Sequence, residues 1–378
     1  MNLENDVRFK QESPFYQKLC QRIGQLGGMH NAHLHLDRAG TLEEEYLMVD
    51  ERSVLESSFV SLHEKHHLIH NVHEGPAYRE ENLRERANHY LDIMVAAGTR
   101  RADTLVDVTA DGVGTRALQV FQDIQAQRGD IDLRLAAYSP LGFRDDEPQR
   151  WDVFMEGAAR SDFLAALPEA DDTLEYPGHI GFEEHVERFV ELARARSCPL
   201  HVHTDQRNDP SEDGTERMLR CLKQLGPLPR IDGEPAVWAV HMISPSTYDE
   251  ARFEALTEAM LDLDVGLICC PSAALGMRQL RPVNTPTYNS IPRVLELLAA
   301  GVQVKLASDN IADICSPSTT ADLVDEVFTL SAALRYYNIE ILAKLAAGAP
   351  LEESDRRELG EHLQRNRAEI AKVLREHY

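Results

Sequence analysis

Short apolar runs alternate along this chain with longer stretches in which apolar residues recur every three or four positions. The first pattern reads as buried strands and the second as amphipathic helices. Phe15, Leu19, Ile23 and Leu26 carry the helical spacing and predict a helix over about 1–27, followed by a strand at about 29–36. Residues 79–98 form an amphipathic helix stopped by Gly98. Strands at about 103–108, 132–138, 163–167, 199–203, 236–241, 264–270 and 302–308 then alternate with helices at about 115–128, 147–158, 182–196, 213–225, 247–262 and 290–300. Two or three helices close the chain, the last, at about 355–376, strongly charged.

Strict alternation of strand and helix implies a parallel sheet with right-handed crossovers. Eight such units fit a closed (β/α)₈ TIM barrel better than an open doubly wound sheet. No G-x-G-x-x-G follows an early strand, which counts against a dinucleotide fold. The expected fold is α/β, a (β/α)₈ TIM barrel with extra N- and C-terminal helices. The expected organisation is a single domain over 1–378, with a barrel core at about 28–340 and C-terminal helices at about 340–378.

Composition narrows the partners. With 63 acidic against 39 basic residues, the 378-residue chain carries a formal charge of −24. Such a surface repels a phosphate backbone and an anionic bilayer, so neither nucleic acid nor a membrane is expected as a partner. No apolar run reaches the ~18 residues of a membrane span. The first residues lack the basic-then-apolar pattern of a secretory signal. Cys20, Cys198, Cys221, Cys269, Cys270 and Cys315 form no C-x-x-C pair and read as thiols of a reducing cytoplasm. A cytoplasmic protein with a small-molecule substrate is expected, and a homo-oligomer is allowed.

The chemistry gathers where apolar runs stop, at the strand ends that form the mouth of such a barrel. Strand one ends in His33-Leu34-His35 and then Asp37, strand five in His201-Val202-His203 and then Asp205-Gln206, strand six in His241, and strand eight in Ser308-Asp309. Each alone has a bland explanation, as a hydrogen-bonded histidine or a helix cap. Four strands doing this in one barrel bring the groups together. Three histidines and one carboxylate make a first shell for Zn²⁺ or Fe²⁺ with a position left for water. His63, His66, His67 and His70, with His73 beyond them, lie on one helix face; metal binding is one reading, a solvated helix face or one supporting the site is the simpler one, and a single histidine lining a pocket is a third.

This order of motifs resembles the amidohydrolase superfamily of metal-dependent (β/α)₈ hydrolases. It is most similar to the cytosine deaminase branch, which includes N-isopropylammelide amidohydrolase. The resemblance runs from His33-Leu34-His35-Leu36-Asp37 to Ser308-Asp309-Asn310 and includes Thr104-Leu105-Val106-Asp107-Val108 and Gly181-Phe182-Glu183-Glu184-His185. It implies one divalent metal, zinc with iron as the alternative, held by His33, His35, His203 and Asp309. It further implies that Asp309 takes a proton from the attacking water and that His241 stabilises the developing charge or passes the proton to the leaving amine. The fourth strand contains no lysine to bridge a second metal. His201, one layer deeper than His203, reads as a buried hydrogen-bonding group and not as a second-metal ligand.

Three positions depart from the branch. Its proton-shuttling glutamate is matched here by Gln206, its cytosine-reading glutamine by Pro140, and its second strand-eight aspartate by Asn310. Glutamine donates and accepts hydrogen bonds but cannot transfer a proton as an acid does. The usual ring-deamination path is therefore absent unless Asp205 or another acid replaces it, and cytosine is not the expected substrate. The β-sandwich flaps of the branch are also missing, and in this the chain is built more like adenosine deaminase. Gln206, Asp205, Asn310 and Arg278 are the substrate-binding candidates, with Asp37, Asp313 and Arg281 weaker ones. Arg278 and Arg281 lie in a long loop at 271–289.

The expected activity is hydrolysis of a C–N bond, with His241, Asp309 and Gln206 as the catalytic set. Deamination of a nitrogen heterocycle leads. Hydrolysis of a cyclic or acyclic amide, with Gln206 binding substrate, is the alternative. A non-catalytic metal-containing barrel that binds a small ligand is the alternative of another class. Gln206→Glu separates the two enzymatic readings. A rise in turnover of aminated heterocycles marks an altered deaminase, whereas no rise together with loss of native activity marks the amide reading.

Overall fold

In a computed structural model that describes residues 13–49, 51–57, 60–277 and 290–377, eight strands hydrogen-bond in chain order, every pair parallel. The side chains of Leu62, His63, His66 and His377 lie outside the description. The strands are β1 (Met29–Leu34), β2 (Thr99–Asp107), β3 (Asp132–Tyr138), β4 (Phe163–Ala166), β5 (Leu200–Thr204), β6 (Val237–His241), β7 (Val265–Cys269) and β8 (Val304–Leu306). Among the described residues every strand belongs to this one sheet, and no β-sandwich accompanies it. No helix among them is long and apolar enough to cross a membrane.

Between strands run α3 (Glu80–Ala97), α4 (Arg116–Gln127), α5 (Gln149–Ala158), α6 (Phe182–Arg196), α7 (Gly214–Leu225), α8 (Glu250–Asp262), α9 (Pro271–Gly276) and α10 (Val294–Ala300). Ahead of the barrel lies α1 (Pro14–Gln25), and after it come α11 (Leu323–Leu334), α12 (Ile339–Ala347) and α13 (Glu353–His377). The α/β barrel expected from the alternation is thus present, with its extra terminal helices. The main differences are at the edges. The first helix is described only from Pro14, β2 starts four residues earlier than expected, and β8 is three residues long.

The short β8 makes closure of the ring a local matter. Leu34 and Asp309 form a parallel bridge, with Asp309 N–H donating to the His33 carbonyl (3.0 Å) and His35 N–H to the Asp309 carbonyl (3.3 Å). One layer down, Asn31 completes the seam. Its Nδ2 donates to Ser308 Oγ (2.8 Å) and its Oδ1 accepts from Ser308 N–H (3.0 Å). Inside the ring Trp238, Val240, Ile268 and Ala32 pack on one side, and Leu105, Ala136, Tyr138 and Phe163 on the other. This filled interior is the floor beneath the mouth. The opposite faces of the strands, including Val106, Leu135, Leu164, Val202, Ala239 and Leu267, pack against the helices in the main core.

The connection from β1 to β2 carries an additional helix, α2 (Leu62–Glu74), with Ser61 capping it by accepting from Glu64 N–H. It holds the histidine-rich segment. His67 and His70 are exposed, and it is His73 that docks the helix. His73 Nε2 lies 2.9 Å from Asp107 Oδ2 and Nδ1 2.7 Å from Asp111 Oδ2. Both acceptors are carboxylates, so both ring nitrogens donate and the imidazole is charged. Burial opposes that charge, but the hydrogen bonds to Asp107 and Asp111 win and raise the group from its ordinary 6.5 to about 9. The helix therefore rests on the rim of β2 through a buried ionic contact.

A histidine that binds its proton more tightly when folded stabilises the fold fully below its unfolded pKa of 6.5, and this contribution vanishes as pH rises through about 9. The wild type is expected to lose up to about 3 kcal/mol over that window from this group. His73→Gln should be less stable at pH 6 and should lack this decline, as read by urea unfolding at pH 6.0 and 9.5. An identical pH slope in both proteins would remove His73 from the account.

Candidate metal centre and active site

Alternation alone does not place the His33 and His35 pair. The register of β1 against β2 slips by one residue between Asn31 and Leu34, and such a bulge re-aims side chains. His35 stands just past the strand end. Both rings are buried, and their centroids lie 5.4 Å apart. His203, inward on β5, sits 4.8 Å from His33 by ring centroid and 6.1 Å from His35. One nitrogen from each of the three lies within 4.8 Å of the others.

The tautomers follow from the partners. His203 Nδ1 is 2.9 Å from the Ala166 carbonyl, which accepts only, so Nδ1 carries the proton and Nε2 a lone pair. His33 Nδ1 is 3.3 Å from His201 Nδ1. Burial pushes His201 down to about 3, so that ring is neutral and able to accept from His33. In the tautomer in which His33 donates to His201, its Nε2 presents a lone pair as well. The two Nε2 atoms face each other at 3.1 Å, an arrangement that repels unless a cation or proton lies between them. Burial, followed by the proximity of other histidines, holds both rings well below the ordinary histidine range, in the neutral form that ligates metals.

Asp309 completes the set. Its Oδ1 is 3.4 Å from His35 Nε2 and 3.9 Å from His33 Nε2. Burial alone would raise its carboxyl, but His35, His241 and His203 hold it below the usual range, so it is ionised. Three imidazoles and a carboxylate fit a divalent cation of the zinc type. His35 differs from its neighbours in one respect. Arg38 Nη2, a pure donor, lies 2.6 Å from His35 Nδ1, which puts the proton of this neutral ring on Nε2, so ligation through Nε2 would call for the other tautomer. His201 lies outside this ligand group and supports His33 from below, against Phe163 at 4.6 Å.

His241 reaches the mouth against the parity of its strand. Trp238 and Val240 point inward, so the next residue should point out. Positive φ at His241 (74°) and Met242 (50°) turns the chain, and the His241 ring lies 5.4 Å from His203. Its Nδ1 is buried without a partner, and burial lowers its pKa. Asp205 (58°) and Asp309 (59°) are left-handed too. Such conformations cost of order 1–3 kcal/mol each for non-glycine residues and cluster at functional sites.

The remaining candidates separate. Asp205 is engaged elsewhere. Its carboxylate accepts from Gly214 N–H (2.6 Å) and Thr215 N–H (2.9 Å) and so caps α7. Asn310 donates to Asp313 (2.5 Å), whose other oxygen accepts from Cys315 and Ser316 N–H. Asp37 accepts from Asp107 N–H and the Tyr78 hydroxyl. These carboxylates and this amide hold the loops of the mouth together. Arg278 and Arg281 lie outside the described residues. Gln206 is buried, and its Nε2 donates to Glu169 Oε2 (2.8 Å).

Glu169, Tyr138 and Arg38 were not singled out by sequence reasoning. Tyr138 ends β3 with its ring 5.3 Å from both His35 and His203. Only its place at a strand end could have flagged it. Arg38 follows the His-x-His pair by three residues and is shared between His35 and Asp107 (3.8 Å). Nothing in the local sequence marks Glu169.

No protein family model matches this chain. It is 26% identical over 274 residues, 71% of its length and 92% of the relative's, to an uncharacterized protein of Haemophilus influenzae. To a pterin deaminase of Rhizobium rhizogenes it is 22% identical over 234 residues, 61% of this chain, and it spans half the length of that relative. Among solved structures it resembles 5-methylcytosine deaminase of Klebsiella pneumoniae liganded with phosphonocytosine, with a TM-score of 0.69 and 20% identity over 85% of this chain and 78% of that one. It likewise resembles N-isopropylammelide isopropylaminohydrolase of Burkholderia multivorans, with a TM-score of 0.63 and 20% identity over 84% and 72%. The likeness to amidohydrolase-superfamily deaminases carried by the motifs thus extends to the fold, an eight-stranded parallel barrel.

Proposed function

We propose that this chain is a metal-dependent hydrolase that cleaves a C–N bond, an aminohydrolase acting on a nitrogen heterocycle other than cytosine. The observation that carries this reading is the convergence of the His33 and His203 Nε2 atoms, 3.1 Å apart, beside the Asp309 carboxylate. His33, His35, His203 and Asp309 would hold one divalent ion, zinc in preference to iron. When bound, such an ion lowers the pKa of a water toward neutrality and polarises the carbon to be attacked. The three similar deaminases and aminohydrolases act, by their names, on pterin, 5-methylcytosine and N-isopropylammelide, which supports a heterocycle as substrate.

The chain's own groups supply the rest. Asp309, kept ionised by the imidazoles around it, accepts a proton from the attacking water. His241, kept neutral by burial, hydrogen-bonds the oxygen or nitrogen that gathers charge and hands a proton to the departing amine. Gln206 binds the substrate. Water adds its oxygen to the carbon, the C–N bond breaks, and one of the water's protons leaves with the nitrogen as ammonia or an amine while the other stays on the ring nitrogen beside the new carbonyl. Hydrolysis of a cyclic amide is the second reading, favoured by Gln206, which binds but cannot protonate. The partner is then a small molecule and the compartment the cytoplasm.

Purified protein should contain about one metal per chain by elemental analysis. Chelation should leave the circular dichroism unchanged and abolish ammonia or carboxylate release. Asp309→Asn keeps the backbone bonds of the seam and should lower kcat by roughly 10²–10⁴-fold. Full activity in that variant, or no product from a broad panel of amines and amides with metal loaded, would sink the reading.

A further inference from the structure

Gln206 is the residue at which this barrel departs from a ring-protonating deaminase, and the structure shows what holds it. Glu169 lies on a 3₁₀ turn (Pro168–Asp171) directly after β4. Its Oε1 accepts from Asp205 N–H (2.8 Å), and its Oε2 accepts from Gln206 Nε2 (2.8 Å). The same rim pins His203, whose Nδ1 donates to the carbonyl of Ala166. The end of β4 therefore orients both a metal-site histidine and the side chain three residues beyond it.

A carboxylate only accepts, which decides the orientation of the amide. The NH₂ group of Gln206 must face Glu169, and its carbonyl oxygen, which accepts no hydrogen bond from the described residues, is the atom left for a ligand. Turning the amide over would set two acceptors against each other. Burial and Asp205 raise the Glu169 carboxyl to about 7, against the pull of Gln206 and Arg207, so it is ionised in mildly alkaline solution.

We propose that Glu169 is a positioning residue that fixes Gln206 as a hydrogen-bond acceptor, so that the site selects heterocycles carrying an N–H beside the carbon under attack. These are lactam- or cyclic-urea-type rings, and rings with a bare nitrogen at that position are rejected. An acidic side chain at position 206 would instead give a proton to the bare nitrogen. An acceptor meeting a bare nitrogen leaves two lone pairs opposed and desolvated, which a site built on hydrogen bonds discriminates strongly against. The inference rests on the C–N hydrolase reading above and narrows its substrate class.

Isocytosine and cytosine test it, because they are isomers and both give uracil and ammonia on addition of one water. In the amide tautomer of isocytosine the amine-bearing carbon has a ring N–H on one side, able to meet the Gln206 carbonyl, and a bare nitrogen on the other. In cytosine the neighbouring ring nitrogen is bare. The zinc-loaded full chain at pH 8.5 should favour isocytosine by roughly 10-fold or more in kcat/KM, or in Kd by calorimetry where no ammonia is released. In Glu169→Gln the new amide keeps a carbonyl for Asp205 N–H and turns its NH₂ toward Gln206, which must flip to accept. The preference should then narrow or reverse, mostly through a raised KM for isocytosine. Glu169→Ala should relax the preference toward unity without reversing it. A purely structural role would weaken both isomers equally.

Equal handling of the isomers by the wild type, or an unchanged ratio in a folded Glu169→Gln, overturns the inference. So does failure of both isomers to bind or react, and ammonia release from other amines would then leave the hydrolase reading standing. A preference in Kd that Glu169→Gln reverses, with no product from any substrate, would keep the pair and sink the hydrolase reading.

Discussion

The hydrogen bonds of Asp309 across the seam between the last and first strands tie the fold to the chemistry. Its backbone exchanges bonds with His33 and His35, and its side chain faces the imidazoles of the same two residues. With β8 only three residues long, little else holds the ring shut at that level apart from the Asn31–Ser308 contacts below. Any shift of the seam moves a carboxylate and two histidines together. The geometry of the centre is therefore as rigid as the closure of the barrel, which is what a preorganised site needs.

The mouth is also where the backbone is strained. Asp205, His241, Met242 and Asp309 all sit at positive φ at or just past strand ends. A regular strand would have sent His241 to the helix side. The left-handed turn brings its ring to the histidine cluster instead, where its unpartnered Nδ1 adds a second unfavourable element. Left-handed residues occur elsewhere in the chain too, but these four lie beside the histidine cluster, where such strain accompanies function.

Behind the imidazoles lies a second arrangement of charges. Arg38 touches His35 and Asp107, Asp107 binds charged His73, and His73 anchors helix α2 through Asp111. Tyr78 bridges Asp107 and Asp37. On the opposite side, the end of β4 holds His203 through Ala166 and Gln206 through Glu169. The two flanks work by the same principle: groups that only accept or only donate dictate the orientation of ambivalent imidazoles and amides between them.

What the sequence by itself determined is whatever depends on periodicity and on chain order. The alternation of apolar runs is enough for eight parallel strands, because the covalent order of strand and helix leaves few topologies. The polar residues His33, His35, His203, His241 and Asp309 each end an apolar run, so their meeting at one mouth followed from the barrel. The tertiary structure decided the rest. Residues 31–34 of β1 bulge, the closure of the ring beyond β8 shrinks to the Leu34–Asp309 bridge, and His241 turns against its parity, since strain is set by surroundings and not by local pattern. His73, and not His67 or His70, became the buried one, because Asp107 and Asp111 come from the end of β2 and the loop after it. Asp205, promising as a neighbour of Gln206, was claimed by a helix N-terminus ten residues on. Glu169, silent in the sequence, gained its meaning only when β4 and β5 were laid side by side, where a carboxylate reaches the amide that replaces an acid.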